Sequence, residues 1–224
     1  LKEFEYLTSE VAQRGYTRID LNMGCPFPMQ AKHGRGAGLL AQTDIIRSIA
    51  QAIAERPQIQ FSVKMRLGWE DKDEWRPVLE VLNALPLTHI TLHPRIGTQQ
   101  YKGEVDMESF RAFYEACRHP LVYNGDIHTL ADIRSLEEAY PRLAGVMIGR
   151  GLLARPSLAI EYATGQEWGP EKRRKLMTDL HQALMEHWQP LMNSDAQLLN
   201  KLRTFWEYAE EEIGRKLYKK LMKS

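Results

Sequence analysis

The feature that most constrains the fold of this chain is an alternation between short, branched apolar runs and longer stretches in which apolar residues recur at helical spacing. The runs are bounded by Gly, Pro, Asn or Asp and predict five buried strands, at 17–23, 61–67, 87–93, 120–125 and 144–149. The stretches between them predict helices at 43–55, 75–84, 107–116 and 129–139, with Asp44, Asp106 and Thr129 as N-terminal caps. This order is typical of βα units around a parallel sheet.

The pattern changes after Gly169-Pro170, where apolar residues recur only at helical spacing. We therefore expect an α/β domain over residues 1–169 and an all-helical domain over residues 170–224. A closed βα barrel of this type has eight strands, so the five predicted strands correspond to a partial (β/α)8 TIM barrel.

Composition excludes several classes of protein. No apolar run approaches the roughly 20 residues that span a bilayer, so a cytoplasmic protein is expected. Two cysteines, Cys25 and Cys117, form neither a disulfide framework nor a zinc ligand set, and no metal is expected. The net charge of +1 gives no global case for nucleic-acid binding, so any RNA site must be local.

Each predicted strand ends in a short polar or glycine-containing motif. In chain order these motifs are Asn22-Met23-Gly24-Cys25-Pro26, Lys64-Met65-Arg66-Leu67-Gly68, His93-Pro94-Arg95, Asn124-Gly125-Asp126 and Gly149-Arg150-Gly151. The carboxyl ends of successive strands in a βα barrel converge on one mouth, where such folds place their active sites. We therefore expect the five motifs to face one ligand.

Several of these residues have two interpretations. Gly149-Arg150-Gly151 could end a strand without any ligand, or could hold a phosphate together with Asn124-Gly125-Asp126. Alternation along the strand points Lys64 to the same side as Arg66, where it would meet an anionic group such as a reduced flavin or extend to the barrel rim. His93 beside Arg95 favours flavin or substrate contact over a core histidine.

The run Ile19-Asp20-Leu21-Asn22-Met23-Gly24-Cys25-Pro26 resembles the signature of the tRNA-dihydrouridine synthases. The motifs that follow also resemble that family in order, and they are Gly34-Arg35-Gly36-Ala37-Gly38-Leu39-Leu40, Val63-Lys64-Met65-Arg66-Leu67-Gly68-Trp69, His93-Pro94-Arg95, Tyr101-Lys102-Gly103, Asn124-Gly125-Asp126 and Val146-Met147-Ile148-Gly149-Arg150-Gly151. The chain departs from the family at Pro94 and Ile96, where most relatives carry glycine and threonine.

The resemblance implies an FMN-dependent barrel that reduces the C5–C6 bond of a uridine in tRNA, with NADPH as the source of electrons. It implies Cys25 as a protonated thiol that donates to C5, with Asn22, Arg95 and Tyr101 as substrate contacts. The implied flavin contacts are Lys64, His93, Asn124, Gly125, Asp126, Gly149 and Arg150. The five strands would be the fourth to eighth of the family's barrel, so part of the flavin site would be missing from this chain.

The resemblance also implies that the helical tail binds tRNA, through basic residues that include Lys201 and Arg203. Other basic groups lie at Lys172-Arg173-Arg174-Lys175 and between Arg215 and Lys223. Two alternatives stay open: another FMN-dependent barrel acting on a small molecule, and an inactive tRNA-binding fragment. The uridine that is modified, the oligomeric state and the preference for NADPH over NADH cannot be predicted from the sequence.

Overall fold

The computed structural model describes residues 1–223, and the backbone divides into two compact units. The first unit comprises residues 1–125 and 140–147, and the second comprises residues 126–139 and the chain from 148 onward. The predicted boundary at 169/170 lies within the second unit, and the division into two functional domains stays a prediction.

The sheet has five parallel strands in the order β1-β2-β3-β4-β5, so each strand is paired with its neighbours in sequence. The strands are Arg18–Met23 (β1), Gln60–Gly68 (β2), Ile90–Ile96 (β3), Leu121–Asn124 (β4) and Leu143–Met147 (β5). All five predicted strands are present, although β3 begins three residues later than predicted. The parallel sheet confirms the α/β class, and the sequential order is the one that a segment of a barrel would have.

Helices follow the strands along the chain. In the first unit they are Lys2–Gln13 (α1), Pro28–Lys32 (α2), Thr43–Ala54 (α3), Trp75–Leu82 (α4) and Met107–Ala116 (α5), with a 3-10 turn at Gly36–Leu39. In the second unit they are Leu130–Ala139 (α6), Arg150–Ala154 (α7), Leu158–Thr164 (α8), Pro170–Trp188 (α9), Asp195–Trp206 (α10), Glu210–Ile213 (α11) and Arg215–Leu221 (α12), with a 3-10 turn at Gln189–Leu191. The short helices α2, α7 and α8 were not predicted.

Two of the three predicted caps are confirmed. Asp106 Oδ1 accepts a hydrogen bond of 2.9 Å from the backbone N–H of Ser109, and Thr129 Oγ1 accepts one of 3.1 Å from the backbone N–H of Asp132. The Asp44 prediction is wrong, because α3 begins at Thr43. Asp44 instead lies in the first turn of α3, where its negative charge interacts favourably with the positive end of the helix dipole. It also accepts a 2.8 Å hydrogen bond from Arg47.

The two faces of the sheet differ in polarity. Phe61, Val63 and Met65 of β2 are fully buried in the apolar core, as are Val78 of α4 and Phe113 of α5. Side chains alternate along a strand, so the opposite face carries the polar residues of β2. In register across that face, Asn22 pairs with Lys64, Lys64 pairs with Thr91, and Arg66 pairs with His93. The predicted site residues of the first three strands therefore lie at neighbouring positions on the same face of the sheet.

The second unit contains a buried ion pair between Arg155 and Glu161. Glu161 has no exposed surface, and its carboxylate also accepts bonds of 2.5 Å from Ser157 Oγ and 2.8 Å from the backbone N–H of Trp168. Burial alone would raise the pKa of Glu161, but these donors outweigh it and hold the pKa at about 2, below the ordinary 4.5. The cluster connects α8 to the segment that leads into α9.

Candidate active site

Asn22 shapes the loop that carries Cys25. Its side-chain oxygen accepts hydrogen bonds from the backbone N–H groups of Gly24, at 2.9 Å, and of Cys25, at 3.1 Å. An Asn side chain that bonds to the backbone two and three residues ahead folds a tight turn locally. The turn leaves the Cys25 thiol partly exposed, and Cys25 is not part of a disulfide.

The 3-10 turn that starts at Gly36 packs directly against Cys25. The backbone N–H of Ala37 donates to the Cys25 carbonyl at 2.9 Å. Gly36 has φ +56°, and a Cβ atom there would lie 2.6 Å from the Cys25 carbonyl oxygen and 2.7 Å from its Cβ. The position therefore requires glycine both for its backbone conformation and for the close approach.

We expect Gly36→Ala to reduce the free energy of unfolding by at least about 1–2 kcal/mol, because alanine is strained at positive φ and its methyl group displaces the Cys25 loop. Gly24→Ala, in the loop that carries Cys25, is the matched control, since a Cβ atom there would meet its nearest neighbour at an ordinary 3.4 Å. Urea unfolding of both variants measures the difference. Equal losses in the two variants would contradict the packing argument.

Arg66 is a buried residue that supports the site and that sequence reasoning did not select. Its Nε donates to the Gly24 carbonyl at 3.1 Å, and a terminal nitrogen donates to the Ile96 carbonyl at 3.0 Å. Burial lowers the pKa of the guanidinium to about 10, partly opposed by the Tyr101 hydroxyl, so Arg66 is still a cation at neutral pH. Its predicted orientation beside Lys64 was the available signal, but bonds to two distant carbonyl groups could not be predicted from local sequence.

Lys64 presents an ammonium group on the polar face of β2. It is only partly exposed, and it makes no hydrogen bond or ion pair with another residue in the part of the chain that the structure describes. Burial and the charge of Arg66 lower the pKa of Lys64, while the carboxylate of Asp20 partly opposes them. Asp20 is itself held by a 2.6 Å bond from Ser62 Oγ. A cation in this setting is suited to an anionic ligand.

His93, Arg95 and Tyr101 lie together around the end of β3. His93 and Arg95 are buried and their side chains are 3.1 Å apart, measured from Nε2 to a terminal guanidinium nitrogen. Arg95 also donates to the Gly103 carbonyl at 2.5 Å. The Tyr101 ring is half exposed, 6.4 Å from the His93 ring between centroids, and the Arg66 guanidinium lies 5.4 Å from the Tyr101 centroid. Their contacts with flavin or substrate stay predictions.

Asn124 and Gly125 end β4 in the first unit. The Asn124 amide donates to the Met147 carbonyl at 2.8 Å, which connects the ends of β4 and β5. Gly125 has φ +152°, and a Cβ atom there would approach Val105 to 2.9 Å and His93 to 3.4 Å. The backbone therefore passes close beside His93 at a position where only glycine fits without strain.

Asp126, Gly149 and Arg150 belong to the second unit. Gly149 precedes α7, and Arg150 donates to the Asp126 carboxylate at 3.2 Å. Each side chain of this pair is about one-third exposed. The pair brings together two of the residues predicted to hold the flavin phosphate, and a shared phosphate site with Asn124 and Gly125 stays a prediction.

An open pocket of about 690 Å³ adjoins the Cys25 thiol. Its lining residues are Asn22, Cys25, Phe27, Pro28, Met29, Gln30, Arg35 and Gly36. The pocket thus places the predicted proton donor and the predicted substrate contact Asn22 in one cavity, and its volume is within the range that holds small-molecule ligands.

The predicted tRNA contacts Lys201 and Arg203 both lie on α10 in the second unit. The Lys201 ammonium is 4.9 Å from the centroid of the Trp188 ring. The Nε atom of Arg203 is buried and has no hydrogen-bond partner among residues 1–223. Nearby basic residues are partly neutralised, because Arg173 pairs with Glu212 and Lys175 pairs with Asp179.

No group of three or more His, Cys, Asp or Glu side chains in residues 1–223 could hold a metal ion. In the same part of the chain, no helix has both the length and the apolar character needed to cross a bilayer.

The sequential parallel sheet, with polar residues at its carboxyl end, places the chain in the TIM-barrel-like α/β class. Morphinone reductase is a solved structure with a similar fold, with a TM-score of 0.53 at 14% sequence identity, and the match covers 75% of this chain and 49% of that one. A likeness at this identity supports the fold alone.

The sequence comparisons define the family. The profile described as dihydrouridine synthase (Dus) matches residues 3–223, so the chain belongs to the dihydrouridine synthase family. A probable tRNA-dihydrouridine synthase of Rickettsia bellii (strain RML369-C) is 30% identical over 177 residues, which are 78% of this chain and 54% of that protein. The tRNA-dihydrouridine(16) synthase of Neisseria meningitidis (serogroup A / serotype 4A, strain DSM 15465 / Z2491) is 33% identical over 168 residues, which are 73% of this chain and 49% of that protein. The chain spans about half the length of these curated relatives.

Proposed function

We propose that this chain carries the proton-donating part of a tRNA-dihydrouridine synthase, an oxidoreductase that reduces the C5–C6 bond of a uridine in tRNA. The observation that carries the proposal is the position of Cys25, which lines a pocket together with Asn22 and lies on a loop fixed by Arg66 and Gly36. Membership of the dihydrouridine synthase family and the activity for which the relatives are named support the same reaction.

The residues present are suited to FMN. Lys64 offers a partly exposed ammonium group that forms no ion pair with another residue in the described chain, and Gly125 brings the backbone close beside His93. Lys64 and His93 would contact the flavin ring, and Asn124, Gly125, Asp126, Gly149 and Arg150 would hold its phosphate end. When bound and reduced by NADPH, the flavin supplies the hydride for C6 of the uracil.

The protein's own part in the reaction is to hold the uracil and deliver a proton. The Asn22 oxygen already accepts two backbone bonds, so its amide NH₂ group is the part available to a uracil carbonyl. The thiol of Cys25 then donates its proton to C5. An acid at that carbon prevents negative charge from accumulating there.

The rest of the chain would serve the macromolecular substrate. The five strands would form part of a (β/α)8 barrel over residues 1–169, and the helices from 170 onward would form a tRNA-binding domain. Lys201 and Arg203 would contact RNA phosphates through that domain. A tRNA substrate places the enzyme in the cytoplasm.

The test is dihydrouridine formation by the protein expressed from its complete reading frame, with unmodified tRNA, FMN and NADPH. We expect dihydrouridine by mass spectrometry of the digested tRNA.

Lys64→Met should weaken FMN binding, measured by equilibrium dialysis, by about 10- to 100-fold, the equivalent of a hydrogen bond to a charged group. Lys2→Met, an exposed lysine on α1, is the control. A yellow protein that oxidises NADPH but leaves tRNA unchanged would favour a small-molecule oxidoreductase.

A further inference from the structure

Part of the lining of the Cys25 pocket, here called the wall and formed by Phe27, Met29 and Arg35, is well exposed to solvent. Phe27 and Met29 are 64% and 77% exposed, yet both line this pocket. Phe27 lies between two prolines, which restrict its backbone to an extended conformation. The ring is therefore held out into the pocket by a stiff segment at little cost in conformational entropy.

Arg35 supplies a cation on the same wall. Its Nε and one terminal nitrogen bond to the two carboxylate oxygens of Glu3, at 3.1 and 2.6 Å. Both side chains of this ion pair are at least half exposed, and such pairs contribute only about 0–1 kcal/mol. The other terminal nitrogen makes no hydrogen bond with a residue in the described range 1–223. Arg35 can therefore exchange a carboxylate for a phosphate at small cost.

The pocket lining contains no carboxylate of its own, and it combines an aromatic ring, amide side chains and a guanidinium. A base stacks on an aromatic face with about 1–3 kcal/mol, and a guanidinium matches a phosphate in a bidentate geometry. These are the groups that a nucleotide requires. An uncharged peptide segment would use the apolar part of the wall but would gain nothing from Arg35, which would stay paired with Glu3.

We propose that this wall binds the RNA nucleotide adjoining the uridine at Cys25, with its base stacked on Phe27 and its phosphate paired with Arg35 in competition with Glu3. The inference rests on the proposed function for the identity of the uridine. It adds a contact for flanking RNA that is separate from the proton donor and from the helical tail.

The first measurement is binding of fluorescein-labelled hexauridylate to the protein by fluorescence anisotropy. Phe27→Ala should weaken binding by about 5- to 100-fold, and Phe27→Leu should not restore it, because leucine has no π-face. The control is Tyr16→Ala, which removes an aromatic side chain of nearly equal exposure, 63%, outside the pocket and should leave binding unchanged. Circular dichroism verifies that each variant is folded.

Substitutions at the two charged residues, Arg35 and Glu3, should have opposite effects on RNA binding. Arg35→Gln should weaken binding and reduce the slope of log affinity against log salt by about 0.7, the value for one phosphate contact on a single strand. Glu3→Gln should strengthen binding, because it removes the competing carboxylate. Arg47→Gln is the control, since Arg47 is an exposed, ion-paired arginine of similar accessibility outside the pocket.

The outcomes separate this inference from the proposed function. Wild-type affinity in both Phe27→Ala and Arg35→Gln would overturn the inference, and dihydrouridine formation by the same proteins would still support the proposed function. RNA binding that depends on Phe27 and Arg35 in a protein that forms no dihydrouridine would support the inference and overturn the reaction. A wild-type protein that does not bind the oligonucleotide would overturn the inference in favour of a protein ligand.

Discussion

Cys25→Ala should reduce dihydrouridine formation by about 10²- to 10⁴-fold, the usual contribution of a positioned general acid. The Cys25 thiol is the proposed acid beside Asn22, and alanine would leave C5 of the uracil without a proton donor. Single-turnover reduction of tRNA by pre-reduced protein measures this step separately from the reduction of the flavin by NADPH. Oxidation of NADPH in the absence of tRNA should be unchanged, because Cys25 has no part in reducing the flavin.

Two further variants make this result interpretable. Cys25→Ser should remain nearly inactive, since a serine hydroxyl is a much weaker acid than a thiol. Cys117→Ala should retain activity, because Cys117 is buried and donates weakly to the His119 carbonyl at 3.6 Å. Near-wild-type turnover by Cys25→Ala would show that another group protonates the uracil.

Glu161→Gln should reduce the free energy of unfolding by about 3–5 kcal/mol, the cost of breaking a buried ion pair on one side. The substitution leaves the Arg155 guanidinium, 10% exposed, with only Glu167 as an anionic partner. It also replaces a carboxylate oxygen by an amide NH₂ that cannot accept bonds from Ser157 or from the backbone of Trp168.

The pH dependence of unfolding gives the same cluster a second test. A carboxylate whose pKa is depressed in the folded state stabilises the fold above its unfolded pKa and loses that contribution as the pH falls. The stability that Glu161 contributes should be lost as the pH falls from about 4.5 toward 2. This pH-dependent loss should be absent in Glu161→Gln. Asp179→Asn breaks an exposed ion pair in the same unit and should cost no more than about 1 kcal/mol. A Glu161→Gln protein as stable as wild type would contradict the conclusion that the buried ion pair stabilises the fold.

Much of the fold could be predicted because branched apolar runs between turn residues are local signals. The start of β3 was misplaced for a physical reason: Leu87 is buried, but regular pairing with β2 begins only at Ile90. An apolar run indicates burial, whereas a strand boundary depends on which backbone groups find partners. The short helices α7 and α8 were missed because their few residues give too little periodicity to distinguish a helix from a turn.

The sequence pattern was enough to select candidate site residues, but it could not predict the contacts between them. Strand ends were the basis for predicting Cys25, Lys64 and His93 as site residues, because parallel strands bring successive carboxyl ends to one edge. In the structure Cys25 follows β1, whereas Lys64 and His93 lie within β2 and β3, and their roles stay predictions. The partners of Arg66 lie 42 and 30 residues away along the chain, and no local pattern predicts such contacts. The buried Glu161 was also missed, since acidic residues are almost never fully buried unless they are paired.

The paired bonds of Arg66 have a mechanical consequence. One rigid guanidinium plane connects the loop after β1 to the last residue of β3, so this loop cannot move away from β3 without leaving a buried cation short of an acceptor. A lysine could not replace it, because a single ammonium centre lacks the fixed fork that reaches two carbonyl groups at once. The Cys25 loop and β3 are therefore held together in the folded protein, and the separation of Cys25 from the residues around His93 is set before any ligand arrives.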